Sequence, residues 1–264
     1  MAALGKDGGA CRIVMISYVD EKNIHDFKAM CGLNNVYCAR IGCAFDSYGQ
    51  GFCGNDFWIQ ISYGLAVSLI MKCAGDATVL LTEKSDEDEL AEFIRIIGCK
   101  TLSSSRPFSD EYIYNESVVM KLQKLKSIDC PFKITDCPEL NSVYDLLCCC
   151  EVLAVPDRED FILDMSHKLR HGTAFIRAAK DDSGNLLSCA MTVGMNHSCA
   201  VIGAVAVRPD MRRQGLGSAA VLSLAELLKE KDIYIIREKG KNSEFYKSLG
   251  FEDSGIFVSG HCRG

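Results

Sequence analysis

Apolar positions follow two spacings along the chain, and together these spacings predict an α/β fold. Short apolar runs of the kind found in strands occur at 13–18, 57–62 and 77–82. Stretches with apolar residues three or four apart, as in amphipathic helices, occur at 21–31 and 85–97. The first half of the chain therefore alternates strands and helices.

The helix expected after the third run has recognisable ends. The Ser85 hydroxyl can cap its start, Asp88 can complete a capping box, and Gly98 can end it. Acidic residues are stabilised at the positive end of the helix dipole, so residues 86–89 indicate a helix start rather than a cation site. Upstream, the glycine-rich residues 42–54 predict an irregular loop.

The second half has a longer series of elements. They are a strand at 132–135, helices at 138–151 and 157–170, three antiparallel strands at 173–180, 186–194 and 199–207, and two last strands at 233–236 and 254–258. Pro131 follows a predicted helix, and the boundary between the halves is placed there. The prediction is an N-terminal α/β lobe at residues 1–130 and a second lobe at residues 131–264.

The last of the three antiparallel strands leads into a segment rich in glycine and arginine. Residues 200–207 are all apolar or glycine, which predicts a strand covered on both faces. Gly215 and Gly217 lack a Cβ atom, so the backbone can approach a ligand closely. The helix that follows begins with unpaired N–H groups, which attract phosphate. The segment therefore predicts an anion-binding loop.

Two arginines strengthen this interpretation. Arg212 and Arg213 add permanent positive charges suited to a diphosphate, although Arg213 and Gln214 are equally consistent with solvated surface residues. The segment lacks the Gly-Lys-Ser/Thr ending of a P-loop and the third glycine of a dinucleotide fingerprint. A different kind of phosphate site is therefore expected.

These residues carry a family resemblance. The pattern Arg212-x-x-Gly215-x-Gly217 resembles motif A, Q/R-x-x-G-x-G/A, of the GNAT superfamily of acyl-CoA-dependent N-acetyltransferases. Downstream, the segment from Asn242 through Tyr246 to the Leu-Gly-Phe ending resembles the second signature of that family. The two motifs occur in the family's order, and the resemblance covers the second half of the chain.

The resemblance implies a GNAT fold, a central mixed and mostly antiparallel sheet flanked by helices. It implies transfer of the acetyl group of acetyl-CoA to a primary amine by direct attack, with no metal. The alternative is a non-catalytic protein that binds CoA. The first lobe lacks the motifs, so it is interpreted as a degenerate GNAT-like duplicate or as an element that shapes the acceptor cleft or a homodimer contact.

The resemblance also assigns residues to the cofactor. The cofactor-binding set is Val205, Ala206, Val207, Arg212, Arg213, Gln214, Gly215, Leu216, Gly217, Ser218 and Asn242. Backbone N–H groups near Val205 and Val207 are expected to contact the acetyl oxygen and the pantetheine. The family often has its CoA-contacting Asn seven residues before the tyrosine, where this chain has Lys239, so the role of Asn242 stays open.

Two side chains are the catalytic candidates. Tyr246 matches the family's motif tyrosine and would protonate the departing thiolate, because a phenol with a pKa near 10 keeps its proton at neutral pH. The alternative is that Tyr246 packs in the core with Phe245 and Phe251. Glu238 is the nearest candidate for a general base. The alternative for this residue is an ordinary charge at a strand end. In that case a water chain would take the proton, or the amine would arrive already neutral.

The composition and charge of the chain limit the classes of partner that are expected. A net charge of −6 and a pI near 5.4 argue against nucleic acid, which is bound through clustered Lys and Arg. A small-molecule or peptide amine is expected as the acceptor. The sequence has no apolar run of about eighteen residues, so no membrane association is expected, and the absence of a signal-peptide pattern predicts a cytoplasmic protein.

The cysteines and histidines of this sequence do not follow a metal-binding pattern. Fifteen cysteines, an odd number without a Cys-x-x-Cys pair, argue against a disulfide framework and against a zinc ribbon. Residues 148–150 are three consecutive cysteines and are expected to be small apolar filler on a helix. His167 and His171 have the spacing of helical metal ligands but lack the intervening Glu of a zinc protease, so surface histidines are expected.

Overall fold

Most of the chain folds around one large sheet. The structure is a computed structural model that describes residues 14–126, 132–136, 138–150 and 155–263. The strands are β1 (Val14–Tyr18), β2 (Asn55–Ser62), β3 (Leu65–Cys73), β4 (Asp76–Leu81), β5 (Thr101–Ser104), β6 (Tyr112–Leu122), β7 (Lys133–Thr135), β8 (Ile176–Lys180), β9 (Leu186–Met195), β10 (Cys199–Val207), β11 (Asp232–Glu238) and β12 (Phe251–Cys262). The α-helices are α1 (Ile24–Cys31), α2 (Val36–Tyr48), α3 (Glu87–Ile97), α4 (Leu140–Cys149), α5 (Arg158–Arg170), α6 (Leu216–Leu227) and α7 (Ser243–Ser248).

The order of the strands in this sheet is β1-β2-β3-β4-β5-β12-β6-β11-β10-β9-β8-β7. Two pairs, β4 with β5 and β10 with β11, are parallel, whereas the other pairs are antiparallel. The predicted α/β class with a mixed, mostly antiparallel sheet is confirmed. The boundary predicted between residues 130 and 131 lies outside the described residues, so the division into lobes 1–130 and 131–264 stays a prediction.

Two strands are exchanged at the centre of the sheet. β12, the last strand of the chain, lies between β5 and β6 and pairs with both, for example through Val258 and Ser104. In turn β6 lies between β12 and β11, with Lys121 opposite Tyr234. Each half of the chain therefore needs a strand of the other half to complete its sheet.

Helices cover both faces of the central strands. On one face, α6 packs against alternate residues of β10 and β11 such as Ile202 and Ile235. On the opposite face, α2 shares a core with Val201 and Tyr234 of the same two strands. Successive strand residues point to opposite faces, so α6 and α2 sandwich the parallel pair. α4 and α5 form a further core with β8 to β10.

The prediction of an irregular loop at residues 42–54 is wrong for its first half. α2 runs through Gly42 and ends at Tyr48. A Cβ atom on Gly42 would lie 3.4 Å from the Cys31 Cβ and 3.7 Å from the Asn196 Cβ. This glycine therefore allows close packing of a helix, whereas the glycine-rich sequence predicted an irregular loop.

The helix of residues 85–97 is present, but its cap differs from the prediction. α3 is capped by Asp86, whose carboxylate accepts a hydrogen bond from the Glu89 N–H at 3.1 Å. The Ser85 hydroxyl instead accepts from the Thr82 N–H at 2.8 Å. Gly98 ends the helix in the left-handed conformation, as expected.

Candidate active site

The two central parallel strands separate at their C-terminal ends. Their pairing runs from Cys199 opposite Asp232 to Ile202 opposite Ile235, and β10 then continues to Val207 paired only with β9. A register shift after Gly203 inserts one extra residue into β10, where Ala204 has a positive φ of 46°. This β-bulge bends β10 away from β11 and opens a gap between the strands.

The gap leaves backbone donors of β10 without a neighbouring strand. The Arg208 N–H donates to the Leu187 carbonyl of the β9 side at 2.9 Å. Backbone groups alternate in direction along a strand, so Ala206 also faces β9, whereas the N–H groups of Val205 and Val207 face the gap. This direction agrees with the prediction that the N–H groups of Val205 and Val207 contact the acetyl oxygen and the pantetheine.

Beyond β10 the chain forms a cradle of amides and arginines. A 3-10 turn at Pro209–Met211 leads to Gly215, which has φ of 80° and sets the direction of α6. Within the described residues no side chain caps α6, so its first N–H groups remain available. Arg212 and Arg213 form no ion pair in that same part of the chain. The loop can therefore bind an anion.

The cradle opens into a cleft of about 950 Å³. The lining residues are Cys150, Val205, Ala206, Val207, Arg212, Arg213, Gly215, Leu216, Gly217, Ser218, Gly240, Asn242, Ser243, Glu244, Phe245 and Tyr246. The structure thus brings together the predicted cofactor residues except Gln214, which is exposed and lies outside the lining. Glu238 also lies outside it.

Tyr246 lines the cleft from α7 and is 9% exposed. Its ring packs edge-on against Phe245 and Phe251, so both sequence interpretations describe part of its surroundings. Burial raises the pKa of Tyr246 to about 12. Its hydroxyl has no hydrogen-bond partner in the described ranges, so it is free to donate to a ligand.

The segment around the start of α7 places three polar residues in the cleft lining, Asn242, Ser243 and Glu244. Asn242 precedes α7 with a left-handed φ of 56°, and its side chain makes no capping hydrogen bond. Lys239, at the position where the family often has its asparagine, is exposed and lies 3.5 Å from Glu116. Asn242, and not Lys239, therefore lines the cleft.

The Leu-Gly-Phe ending has a steric cause. Gly250 has φ of 100°, and a Cβ atom there would collide with the carbonyl oxygen of Lys124. Only glycine fits this left-handed position where the chain enters β12. The glycine therefore fixes the orientation of α7, which carries Tyr246.

We expect the substitution Gly250→Ala to destabilise the protein by about 2–4 kcal/mol, because it combines a disfavoured φ with a backbone clash. Urea unfolding followed by circular dichroism measures this change. Gly255→Ala in the same strand is the control, since a Cβ atom there meets nothing within 4 Å. Equal unfolding midpoints for the two variants would contradict the steric explanation.

Cys150 lines the cleft, although the sequence does not indicate it as a site residue. Its thiol donates to the Val207 carbonyl at 3.1 Å across a separation of 57 residues, so no local pattern indicates the contact. Burial raises the pKa of Cys150, and the nearby Arg212 opposes that shift. Cys148 and Cys149 are exposed, so the prediction that these cysteines are apolar filler is wrong for both of them.

Glu238 lies at the end of β11, and its side chain is on the face of the sheet opposite α6. Tyr234 and Ile236 of the same strand face the α2 core, and alternation directs the Glu238 side chain to that face. Its carboxylate forms an ion pair with Lys241 at 2.5 Å, and the side chain is 46% exposed. The candidate base and Tyr246 thus lie on opposite faces of the sheet at the gap.

The described part of the first half has no comparable cradle at the matching position. α3 follows the parallel strand β4 as α6 follows β10, but Asp86 occupies its N-terminal amide and its first turn carries Glu87, Asp88 and Glu89. These carboxylates repel a phosphate. Of these two helix starts, the geometry therefore supports anion binding only at α6, in the second half.

The prediction of surface histidines holds for His171, which is exposed and directly follows α5, but not for His167 within that helix. His167 is partly buried, stacks on Tyr48 at 4.7 Å and contacts the Ser47 carbonyl through Nε2 at 2.6 Å. His171 packs against His167. The contacts of His167 with Tyr48 and Ser47 help to join α5 to α2. No group of three or more metal-ligating side chains occurs among the described residues, and no helix there is long and apolar enough to span a membrane.

Comparison with known proteins agrees with this geometry. Residues 140–251 match the Acetyltransferase (GNAT) family. A tandem GNAT protein from the clavulanic acid biosynthesis pathway superposes with a TM-score of 0.60 at 14% identity, covering 95% of this chain and 99% of that one. A GCN5-related N-acetyltransferase from Sphaerobacter thermophilus gives a TM-score of 0.60 at 11% identity, with 94% of each chain covered.

A third structure, a GCN5-related N-acetyltransferase from Kribbella flavida, gives a TM-score of 0.57 at 11% identity, covering 87% of this chain and 95% of that one. No curated protein sequence matches the chain. Residues 140–251 form a domain of the GNAT acetyltransferase family, and nearly the whole chain has the fold of GNAT proteins, tandem ones among them. The resemblance identified from the two motifs is confirmed.

Proposed function

We propose that this protein is an N-acetyltransferase that moves the acetyl group of acetyl-CoA to a primary amine. The observation that carries the proposal is the cleft that joins the anion cradle of α6, the free amides of β10 and the Tyr246 hydroxyl. A diphosphate, a thioester carbonyl and a leaving sulfur need these three kinds of group. The family match of residues 140–251 supports the same chemistry.

The cradle would hold the diphosphate of acetyl-CoA. The first amides of α6 and the guanidinium groups of Arg212 and Arg213 would share its charge, while the cleft receives the pantetheine between β10 and α7. The N–H groups of Val205 and Val207 would donate to the thioester carbonyl and stabilise the negative charge that develops during attack.

Tyr246 would assist the departure of the sulfur. Since its pKa is about 12, the hydroxyl remains protonated at neutral pH and can donate a hydrogen bond to the sulfur as the carbon–sulfur bond breaks. An ordinary thiol has a pKa of about 8.5, so complete proton transfer from this phenol is uphill. Hydrogen bonding in the transition state is therefore the main contribution that we assign to Tyr246.

Turnover of acetyl-CoA with a panel of amines tests the proposal. Thiol release that depends on the amine, together with acetylated amine found by mass spectrometry, is the expected result. Binding of CoA without thiol release for any amine would instead favour the alternative, a non-catalytic CoA-binding protein.

Glu238 is our candidate for the base that takes a proton from the amine on the α2 face. We expect Glu238→Gln to lower kcat/KM for the amine about 10–100-fold at neutral pH, with a smaller loss at higher pH where more amine is neutral. The KM for acetyl-CoA should not change. Steady-state kinetics across the pH range provide the measurement.

Glu226→Gln is the matched control, because Glu226 also pairs with a lysine three residues on and lies on α6 outside the cleft lining. We expect wild-type kinetics for this variant. Full activity of Glu238→Gln would remove the carboxylate from the mechanism and leave a water chain or a neutral amine.

A further inference from the structure

On the face of the sheet opposite α6, the Arg40 guanidinium has no polar partner among the described residues. Arg40 lies on α2 and is partly buried, and its guanidinium stands 5.4 Å above the ring of Phe257. In the part of the chain that the structure describes it makes no hydrogen bond and no ion pair. None of its nitrogens is fully enclosed, so the group can still be reached.

A partly buried guanidinium without a counter-ion is costly, since removing a charge from water requires compensation. Burial lowers the pKa of Arg40, and among the opposing groups Asp76 is the carboxylate. Asp76 lies beyond ion-pair distance and accepts a hydrogen bond from the Thr101 hydroxyl at 2.5 Å. Among the described residues, the Arg40 guanidinium therefore has no carboxylate at ion-pair distance.

Arg40 is held in a definite place. A Cβ atom on Gly194 of β9 would lie 2.9 Å from the Arg40 Cγ and 3.1 Å from its Cα, so α2 is pressed against β9 at this residue. The helix also contacts β4 on its other side, and it thus bridges the central strands. From α2, the Arg40 side chain extends to Phe257 on β12.

The pairing register of β12, β6 and β11 indicates how far the Arg40 site lies from the gap between β10 and β11. Phe257 lies opposite Ser117 of β6, and Ser117 lies opposite Glu238 at the end of β11. Two strand spacings of about 4.8 Å put Phe257 roughly 10 Å from Glu238. An amine placed at the gap on this face would thus lie within a small molecule's length of Arg40.

We propose that Arg40 binds a carboxylate of the acceptor, so that the substrate class is an amine bearing a carboxylate. This inference rests on the proposed acetyl transfer. A guanidinium binds a carboxylate through paired, charge-assisted hydrogen bonds with about 4 Å between the carbon atoms. With the amine near Glu238 and the carboxylate at Arg40, the register distance suits an acceptor whose two groups are a few bonds apart, as in short ω-amino acids. The first half of the chain would then supply specificity to the site of the second half.

The test compares ω-amino acids of three to six carbons with alkylamines of equal length. We expect the wild-type protein to prefer the amino acids, and Arg40→Met to reduce this preference in kcat/KM about 10–100-fold while the KM for acetyl-CoA stays constant. Arg40→Lys should restore part of it. Unfolding midpoints of the variants show whether α2 is still packed.

A preference that survives in Arg40→Met, or a wild-type protein that favours the plain alkylamines, would overturn the inference. Equilibrium dialysis of labelled 4-aminobutyrate against the CoA-bound protein separates this failure from a failure of acetyl transfer. Binding that is lost in Arg40→Met supports the carboxylate site even without turnover. Absence of binding to the wild-type protein, with turnover of other amines, contradicts the carboxylate site alone.

Discussion

The substitution Gly215→Asp should lower the affinity of the protein for acetyl-CoA about 100-fold. Gly215 has φ of 80° immediately before α6, and a Cβ atom there would meet nothing within 4 Å. Asp tolerates the left-handed conformation, so its main effect is a negative charge beside the bound diphosphate. Isothermal titration with acetyl-CoA measures the loss.

The control for this prediction is Gly215→Asn, which has the same size and the same tolerance of a positive φ but no charge. We expect this variant to bind acetyl-CoA within about tenfold of the wild-type protein, since neither the amides nor the arginines are altered. Equal affinities of the Asp and Asn variants would show that no diphosphate lies at the start of α6. The proposed function would fail with that result.

The substitution Tyr246→Phe should reduce kcat about 100-fold and leave the KM for acetyl-CoA nearly unchanged. Only the hydroxyl is removed, and in the described ranges that hydroxyl bonds to nothing, so the fold should keep its stability. Because burial raises the pKa of Tyr246 to about 12, the hydroxyl should also remain functional as the pH rises. A pH profile of kcat should show no loss from this group below about pH 11.

Tyr144→Phe is a suitable control, because the Tyr144 hydroxyl donates to the Pro156 carbonyl on the exposed side of α4 and lies outside the cleft. Turnover of this variant should equal that of the wild-type protein. If Tyr246→Phe were equally active, the ring of Tyr246 would have only a packing role with Phe245 and Phe251.

The geometry of the loop before α6 was predictable because its signals are local. An apolar strand, a proline turn, Arg212, Gly215 and Gly217 follow one another within one short segment, and each acts through its own backbone or charge. The same holds for α7 and its Leu-Gly-Phe ending. Properties that depend on a few neighbouring residues can be derived from their order.

Features that depend on distant contacts were not predictable. Gly42 has the composition of a loop, but its role is set by Cys31 and Asn196, which tertiary packing brings to it. Cys150 enters the cleft through a bond to Val207, and the isolation of Arg40 is a matter of what surrounds it. Sequence spacing contains no signal for such neighbours, nor for the insertion of β6 beside β11.

The exchange of β6 and β12 has a consequence for separating the two halves. A fragment that begins after residue 126 would retain the cradle, the cleft residues and Tyr246, yet β11 and β12 would face each other across an empty strand position. Exposed edges of that kind recruit foreign strands and aggregate. Substitutions along Tyr112–Leu122 are therefore restrained by the second half of the chain, because this strand of the first half fills the position between β11 and β12.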